Sequence, residues 1–218
     1  AAVHAIRDRT IKIWRTADLA LERTIPLRDG MHSLGFSPDG RFIAAGKYNQ
    51  IKIWRLADGQ LVRTLNGHKG LVMSVRYSPD GKYIASGAQD KSVRLWRADT
   101  GEALAVWKDH SGTVEGVAFS PDSRLLASGA RDYTLRIWRI PDGKLLHTLR
   151  GHTASLRGVS FSGDGKLVAS AGNDRRVNVW ELQSGKLHAS FPHEEAVTAV
   201  SFHPNSRQRQ VASCSLDK

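Results

Sequence analysis

Serine, histidine and aspartate, the side chains of nucleophilic acyl transfer, recur in this 218-residue chain at a fixed spacing. His68, Ser86 and Asp90 form one set, His110, Ser128 and Asp132 a second, and His152, Ser170 and Asp174 a third. In each, 18 residues separate histidine from serine and 22 separate histidine from aspartate; a tryptophan (Trp96, Trp138, Trp180) stands 28 residues after the histidine. As a catalytic triad, each set would make the serine hydroxyl a nucleophile with imidazole as its base. The same residues can also form a closed hydrogen-bond chain, in which serine accepts from a buried indole N–H and donates to the imidazole, whose other nitrogen donates to the carboxylate. Three copies of one active site would be odd, and no glycine-flanked nucleophile elbow surrounds these serines. The structural chain is therefore the preferred reading, since it satisfies every polar member.

The elements that must position these residues are short strands. Trp14, Trp54, Trp96, Trp138 and Trp180 lie 40, 42, 42 and 42 residues apart and close the segments TIKIW, QIKIW, SVRLW, TLRIW and RVNVW. A period near 40 with four strands per unit suits a stacked array, because one small twisted sheet cannot bury both its faces. In the third unit, strand a runs through Val72, Val75 and Tyr77, strand b over 83–87, strand c over 92–96 and strand d over 103–107. Ser-Pro-Asp-Gly at 78–81 supplies a tight turn between a and b, with Gly81 able to take positive φ. Related turns stand at 38–40, 121–123 and 163–165; the last, Gly-Asp-Gly, reads as a strand-to-strand turn and not a phosphate loop. The Asp90-Lys91 and Asp99-Thr100-Gly101 turns complete the unit.

The Gly67-His68 and Gly151-His152 pairs, the turn aspartates and the terminal tryptophans resemble the WD-repeat β-propeller family over essentially the whole chain. The resemblance implies an all-β propeller with four complete four-stranded blades and two partial ones, in one domain. The expected boundaries are 1–26 for a partial blade, 27–66, 67–108, 109–150 and 151–191 for complete blades, and 192–218 for a second partial blade. Closed rings of this family typically have seven blades, so the expectation is an incomplete arc, part of a larger polypeptide or complex. The alternative is a five-blade closure in which the last a and b strands meet the first c and d strands. Departures from the pattern are informative. Leu27, Ala45 and Asn49 replace histidine, serine and aspartate before Trp54; His4 and Asp8 precede Trp14; and His193, Ser213 and Asp217 form the last set.

Bulk properties narrow the functional classes. Lys and Arg number 32 against 21 Asp and Glu, a formal charge of +11. A single cysteine, Cys214, excludes internal disulfides and CxxC motifs and fits a reducing compartment, with cytoplasm as the expectation. No apolar run approaches the ~20 residues of a membrane span, so no membrane association is expected. Nine histidines lack the paired spacing of a zinc site, and neither metal nor other cofactor is expected.

Two surfaces remain as candidates. By resemblance, partners dock where the d-to-a and b-to-c loops emerge. The position after the first apolar residue of strand a gives His32, Met73, Glu115, Arg157 and Thr198. The positions before the turn aspartate give Arg7, Tyr48, Gln89, Arg131 and Asn173, and those before the strand give Leu71, Thr113 and Ser155. These residues vary while the scaffold repeats, which is how a rigid frame presents a specific surface; the plainer alternative is an unused mouth. On the opposite face, Arg15, Arg55, Arg97 and Arg139 follow the tryptophans where the family usually has aspartate, with Glu181 the exception. They are expected to approach Arg41, Lys82, Arg124 and Lys166, together with Lys144 and Lys186, as a basic rim tempered by Asp39, Asp80, Asp122 and Asp164. The preferred reading is a non-enzymatic scaffold for a protein or peptide partner, an acidic one being compatible with the charge. The alternative is nucleic acid or another polyanion on the rim, and the plainer view is a solvated rim that aids solubility.

Overall fold

The computed structural model describes residues 2–5, 10–27, 30–205 and 210–216, all in strands, turns and loops. The first sheet holds β1 (Ala2–Ala5), β2 (Thr10–Trp14) and β3 (Leu21–Pro26). β4 (Ser33–Phe36), β5 (Phe42–Gly46), β6 (Tyr48–Arg55), β7 (Leu61–Tyr77), β8 (Tyr83–Ala88), β9 (Val93–Arg97) and β10 (Ala103–Trp107) form one continuous seven-stranded sheet. Two four-stranded sheets follow: β11 (Val114–Phe119), β12 (Leu125–Ala130), β13 (Thr134–Arg139) and β14 (Leu145–Arg150); then β15 (Leu156–Phe161), β16 (Leu167–Gly172), β17 (Arg176–Glu181) and β18 (Leu187–Pro192). β19 (Val197–Phe202) pairs with β20 (Val211–Ser215) in a last two-stranded sheet. Every pairing between sequential strands is antiparallel, as a chain of short hairpins dictates.

The seven-stranded sheet differs from the expected separate strands. β7 carries the outer strand of one unit directly into the inner strand of the next, pairing with β6 over Leu61–Asn66 and with β8 over Val72–Tyr77. Asn49 explains the continuity. With no aspartate there, its Oδ1 accepts the Gly70 N–H at 2.6 Å, and the Lys47 carbonyl accepts the Val72 N–H at 3.0 Å, so the hairpin tip holds the passing chain extended. Strand c also starts later than the sequence suggests. Ser92 precedes β9 because its hydroxyl donates to Asp90 at 2.6 Å and belongs to the turn.

The second strand of each unit shows where the core lies. Five successive residues are buried in β8, β12 and β16, which means that both faces of these strands are covered. One apolar cluster joins Val93 and Leu95 to Val114, Val117, Leu126 and Trp138 of the following sheet. Others join Ile51 and Ile53 to Val75, Ile84 and Trp96, and Leu135 and Ile137 to Leu156, Val168 and Trp180. Each fully buried Ile or Leu contributes about 1.5–3 kcal/mol, and these clusters span neighbouring units. Small residues in the second strand admit the neighbour: a Cβ on Gly129 would lie 3.1 Å from Val159 Cγ2 and 3.2 Å from Leu156 Cβ. The inner strands are bonded sideways as well, with Ser33 Oγ accepting the Val75 N–H at 2.8 Å and Ser160 Oγ accepting the Phe202 N–H at 3.0 Å.

The turns fold as their residues require. Gly40, Gly81 and Gly165 take φ near +70, and Ser123 takes φ 62 at the equivalent position of the Pro-Asp-Ser turn. In each turn the preceding serine donates to the aspartate and accepts the first N–H of the next strand, as Ser78 does with Asp80 at 2.6 Å and Tyr83 at 2.9 Å. A second turn glycine docks successive units. Gly143, at φ 69, sits against the indole of Trp107, which stacks on Trp138 at 5.1 Å and 14°. Gly143→Ala is expected to cost more than Gly40→Ala, which has the same φ but open space around it and should cost about 1–2 kcal/mol. The excess should shrink when Trp107→Ala is added. Equal losses in urea midpoint for the two single variants would show that this contact does not hold the units together.

Candidate functional site

The three Ser/His/Asp sets form the closed chain. Ser128 Oγ accepts the Trp138 Nε1–H at 2.8 Å and lies 2.8 Å from His110 Nε2, while His110 Nδ1 lies 2.8 Å from Asp132. Ser170 and Trp180 are bonded at 3.0 Å, Ser170 and His152 at 2.8 Å; Ser86 and Trp96 are 2.9 Å apart, Ser86 and His68 2.8 Å. The serine hydroxyl has one proton, so accepting from indole and donating to Nε2 fixes the Nδ1–H tautomer facing aspartate. Each aspartate also accepts the N–H of the residue after its histidine, at 2.8–2.9 Å from Lys69, Ser111 and Thr153. The chain thereby ties strands b and c to the incoming loop. All three serines have 0% exposure, so no substrate reaches them.

The electrostatics fit a structural role. Burial pushes the Asp90 carboxyl upward, but hydrogen bonds from His68, Ser92 and the Lys69 amide outweigh it and hold the group well below its ordinary 3.8. Asp132 behaves alike: burial raises it, and His110, Thr134 and the Ser111 amide more than reverse the effect. Burial pushes His152 below its ordinary 6.5, against the pull of Asp174. Where the pattern is broken, the polar members are replaced together. Leu27 and Ala45 are buried with Ile11, Met31, Ile43 and Trp54 in an apolar cluster, which leaves no orphaned hydroxyl or carboxylate. His193 Nε2 lies 2.9 Å from Ser213, whereas Asp217 and Asp8 lie outside the described residues, as do the side chain of His4 and the candidate Arg7.

The mouth residues meet as a group. His32, Met73, Glu115, Arg157 and Thr198 line one cavity of about 350 Å³ at the convergence of β4, β7, β11, β15 and β19. Around it, the Leu71, Thr113 and Ser155 carbonyls accept N–H bonds from Gln89, Arg131 and Asn173 at 2.8–2.9 Å, so the two loop sets are adjacent within each unit. Three details correct the simple picture of free anchors. Glu115 is buried and accepts from Arg131 Nε at 2.5 Å, Leu71 is half-buried against its hairpin neighbours, and Arg157 Nε donates to Asn173 Oδ1 at 3.1 Å. Tyr48 is 60% exposed. Sequence reasoning missed Tyr133, exposed beside Arg131, and its counterparts Lys91 and Arg175; all three take φ of 64–67, the signal being the residue that follows each turn aspartate.

The rim forms as expected but is more compensated. Arg55, Arg97 and Arg139 lie beside Arg41, Lys82 and Arg124, whose carbonyls accept the N–H of the residue that follows each of them at 2.8–2.9 Å. Arg15, Arg55, Arg97 and Arg139 also each pair with a carboxylate of their own c-to-d turn, Asp18 at 2.9 Å, Asp58 at 3.4 Å, Asp99 at 3.3 Å and Asp142. The reason is local: the turn returns the chain within three residues, so the nearest acid is the cheapest partner to reach. Asp39, Asp80, Asp122 and Asp164 instead accept serine hydroxyls and the backbone N–H groups of Arg41, Lys82, Arg124 and Lys166. Lys82 Nζ comes 3.7 Å from Asp80, Arg41 lies 5.6 Å from the Phe42 ring centroid, and Arg124 and Lys166 are exposed.

Urea unfolding across pH tests the network. His110→Ala leaves Asp132 and Ser128 short of a partner and is expected to cost about 1–3 kcal/mol at pH 7. Because the folded pKa of His152 is depressed, the unfolded chain takes up that proton first; stability present above pH 6.5 is lost as pH falls through the lower folded value. Asp90 and Asp132 act with the same sign further down, contributing above about 3.8 and losing that contribution in stronger acid. An unchanged midpoint in His110→Ala would show that the network carries no stability.

The comparisons with known proteins agree with this geometry. No curated protein matches the chain. The family described as WD domain, G-beta repeat matches five times, over residues 23–55, 59–97, 101–139, 143–181 and 185–218. The first four matches begin near the outer strand of one unit and end one residue past the tryptophan of the next, so the sequence repeat straddles the units that it joins. With those matches over most of its length, and indole, serine, imidazole and carboxylate bonded in sequence, this chain is a β-propeller that belongs to the WD-repeat family.

Proposed function

We propose that the chain is a non-catalytic scaffold that captures an acidic protein or peptide on its loop face, around the mouth lined by His32, Met73, Arg157 and Thr198. Repeats of this family characteristically mediate protein–protein interaction, which supports the coarser part of the reading. The observation that carries the finer part is a difference in charge compensation. The four rim arginines are paired with their own turn aspartates. On the loop face, Lys69, Lys91, Arg157 and Arg175 are exposed, and no carboxylate among the described residues forms an ion pair with them. Uncompensated cations beside an exposed Tyr48 suit an acidic surface, since aromatic and arginine anchors dominate such contacts. The rival reading, a polyanion on the rim, would have to displace the aspartates from the four arginines and otherwise act through the exposed Arg124, Lys144, Lys166 and Lys186.

Two double variants separate these readings in a pull-down from native extract analysed by mass spectrometry. Arg157→Glu with Tyr48→Ala is expected to lose the captured proteins, whereas Arg97→Glu with Arg139→Glu should retain them. The opposite pattern, with steeply salt-sensitive duplex binding lost only in the rim variant, would transfer the function to the rim.

A further inference from the structure

The inner strands end in Ser-Leu-Gly-Phe, Ser-Val-Arg-Tyr, Gly-Val-Ala-Phe, Gly-Val-Ser-Phe and Ala-Val-Ser-Phe. Their third position is Gly35, Ala118, Ser160 or Ser201 in four units and Arg76 in one. Arg76 lines the same cavity of about 350 Å³ as the mouth residues, three positions beyond Met73 along β7, or about 10 Å deeper. Its Nη1 donates to the Leu34 carbonyl at 3.0 Å and the Val75 carbonyl at 2.8 Å, which fixes the guanidinium across the seam between two inner strands.

We propose that Arg76 forms a carboxylate-binding subsite inside the channel, taking an acidic group of the segment that docks on the loop face. This rests on the loop-face reading above and adds to it an anchor deeper in the same cavity, with its chemistry. Arginine suits the task because its planar fork can meet both oxygens of a carboxylate, and here Nε and Nη2 remain after Nη1 is used by the backbone. No carboxylate among the described residues pairs with Arg76; the one acid lining the cavity, Glu115, is engaged by Arg131. Water reaches the guanidinium through the channel, yet protein surrounds it at longer range, and that burial pushes its pKa down. A cation so placed is under-compensated, and an incoming anion relieves it. Arg157 and His32 at the entrance favour the same sign of ligand.

Fluorescence anisotropy with labelled tetrapeptides tests the subsite. The probes are tetraglutamate with an amidated C-terminus, tetraglutamine with a free C-terminus, and amidated tetraglutamine as the neutral control. Wild type is expected to bind one or both acidic probes above the control, the preferred probe telling side-chain from terminal carboxylate. Arg76→Gln should weaken that binding roughly 10- to 100-fold, as expected for loss of a charged hydrogen-bond partner. Arg76→Lys should keep part of it, and melting curves of both variants check that the inner seam survives. If Arg76→Gln, still folded, binds the acidic probes like wild type while Arg157→Glu does not, the subsite is overturned and the loop-face reading stands. If wild type binds neither acidic probe above the control, the subsite is overturned irrespective of what the loop face captures.

Discussion

A short twisted sheet with apolar side chains on both faces has no stable existence in water unless each face finds another apolar face, and this constraint shapes everything else in the molecule. The second strands answer it with small residues, Ala-Ser-Gly or Ala-Ser-Ala, that let the next sheet approach closely. The third strands answer it from the other side, with Val, Ile and Leu on one face and tryptophan on the other. Burying an indole also buries its N–H, so it needs an acceptor at that depth, and in the three units that keep the full set the serine supplies it. A buried serine next requires an acceptor of its own, the histidine provides it, and the aspartate at the surface end terminates the chain of bonds. The constellation that resembles catalysis is thus a consequence of hiding tryptophan.

The same packing separates the molecule into surfaces of different character. At the a-to-b and c-to-d turns, short connections return the chain so tightly that charged residues find partners within their own turn. At the opposite end, the turn aspartates are drawn inward to histidine and backbone N–H groups, so they do not neutralise their neighbours. Lys69, Lys91, Arg157 and Arg175 are therefore exposed there without an ion pair among the described residues, whereas Arg131 is engaged by Glu115, and Asp109, Glu194 and Glu195 stand exposed in the connecting loops.

The architecture was legible in the sequence because indole, serine, imidazole and carboxylate must keep their spacing when each depends on the next. The mouth residues were legible for a related reason: a regular frame lets positions be transferred from Met73 to Glu115, Arg157 and Thr198, and these do share one cavity. What escaped the reading were contacts set by geometry between units. Nothing in the string shows that Gly143 lies against Trp107, or that Asn49 turns outward to the Gly70 amide and makes β7 continuous. The partners of the rim arginines escaped because net charge says nothing of pairing, and Arg76 because an arginine inside a β-strand reads as solvent-facing until the channel is seen.

The claim on which all of this rests is that successive sheets cover one another's faces. Hydrogen exchange followed by mass spectrometry addresses it directly, because backbone amides buried on both sides open only with the whole unit. The expected result is slow, cooperative exchange through β8, β12 and β16, with the outer strands β10 and β14 exchanging earlier. Rapid exchange of those second strands, at the pace of the turns around them, would contradict the account.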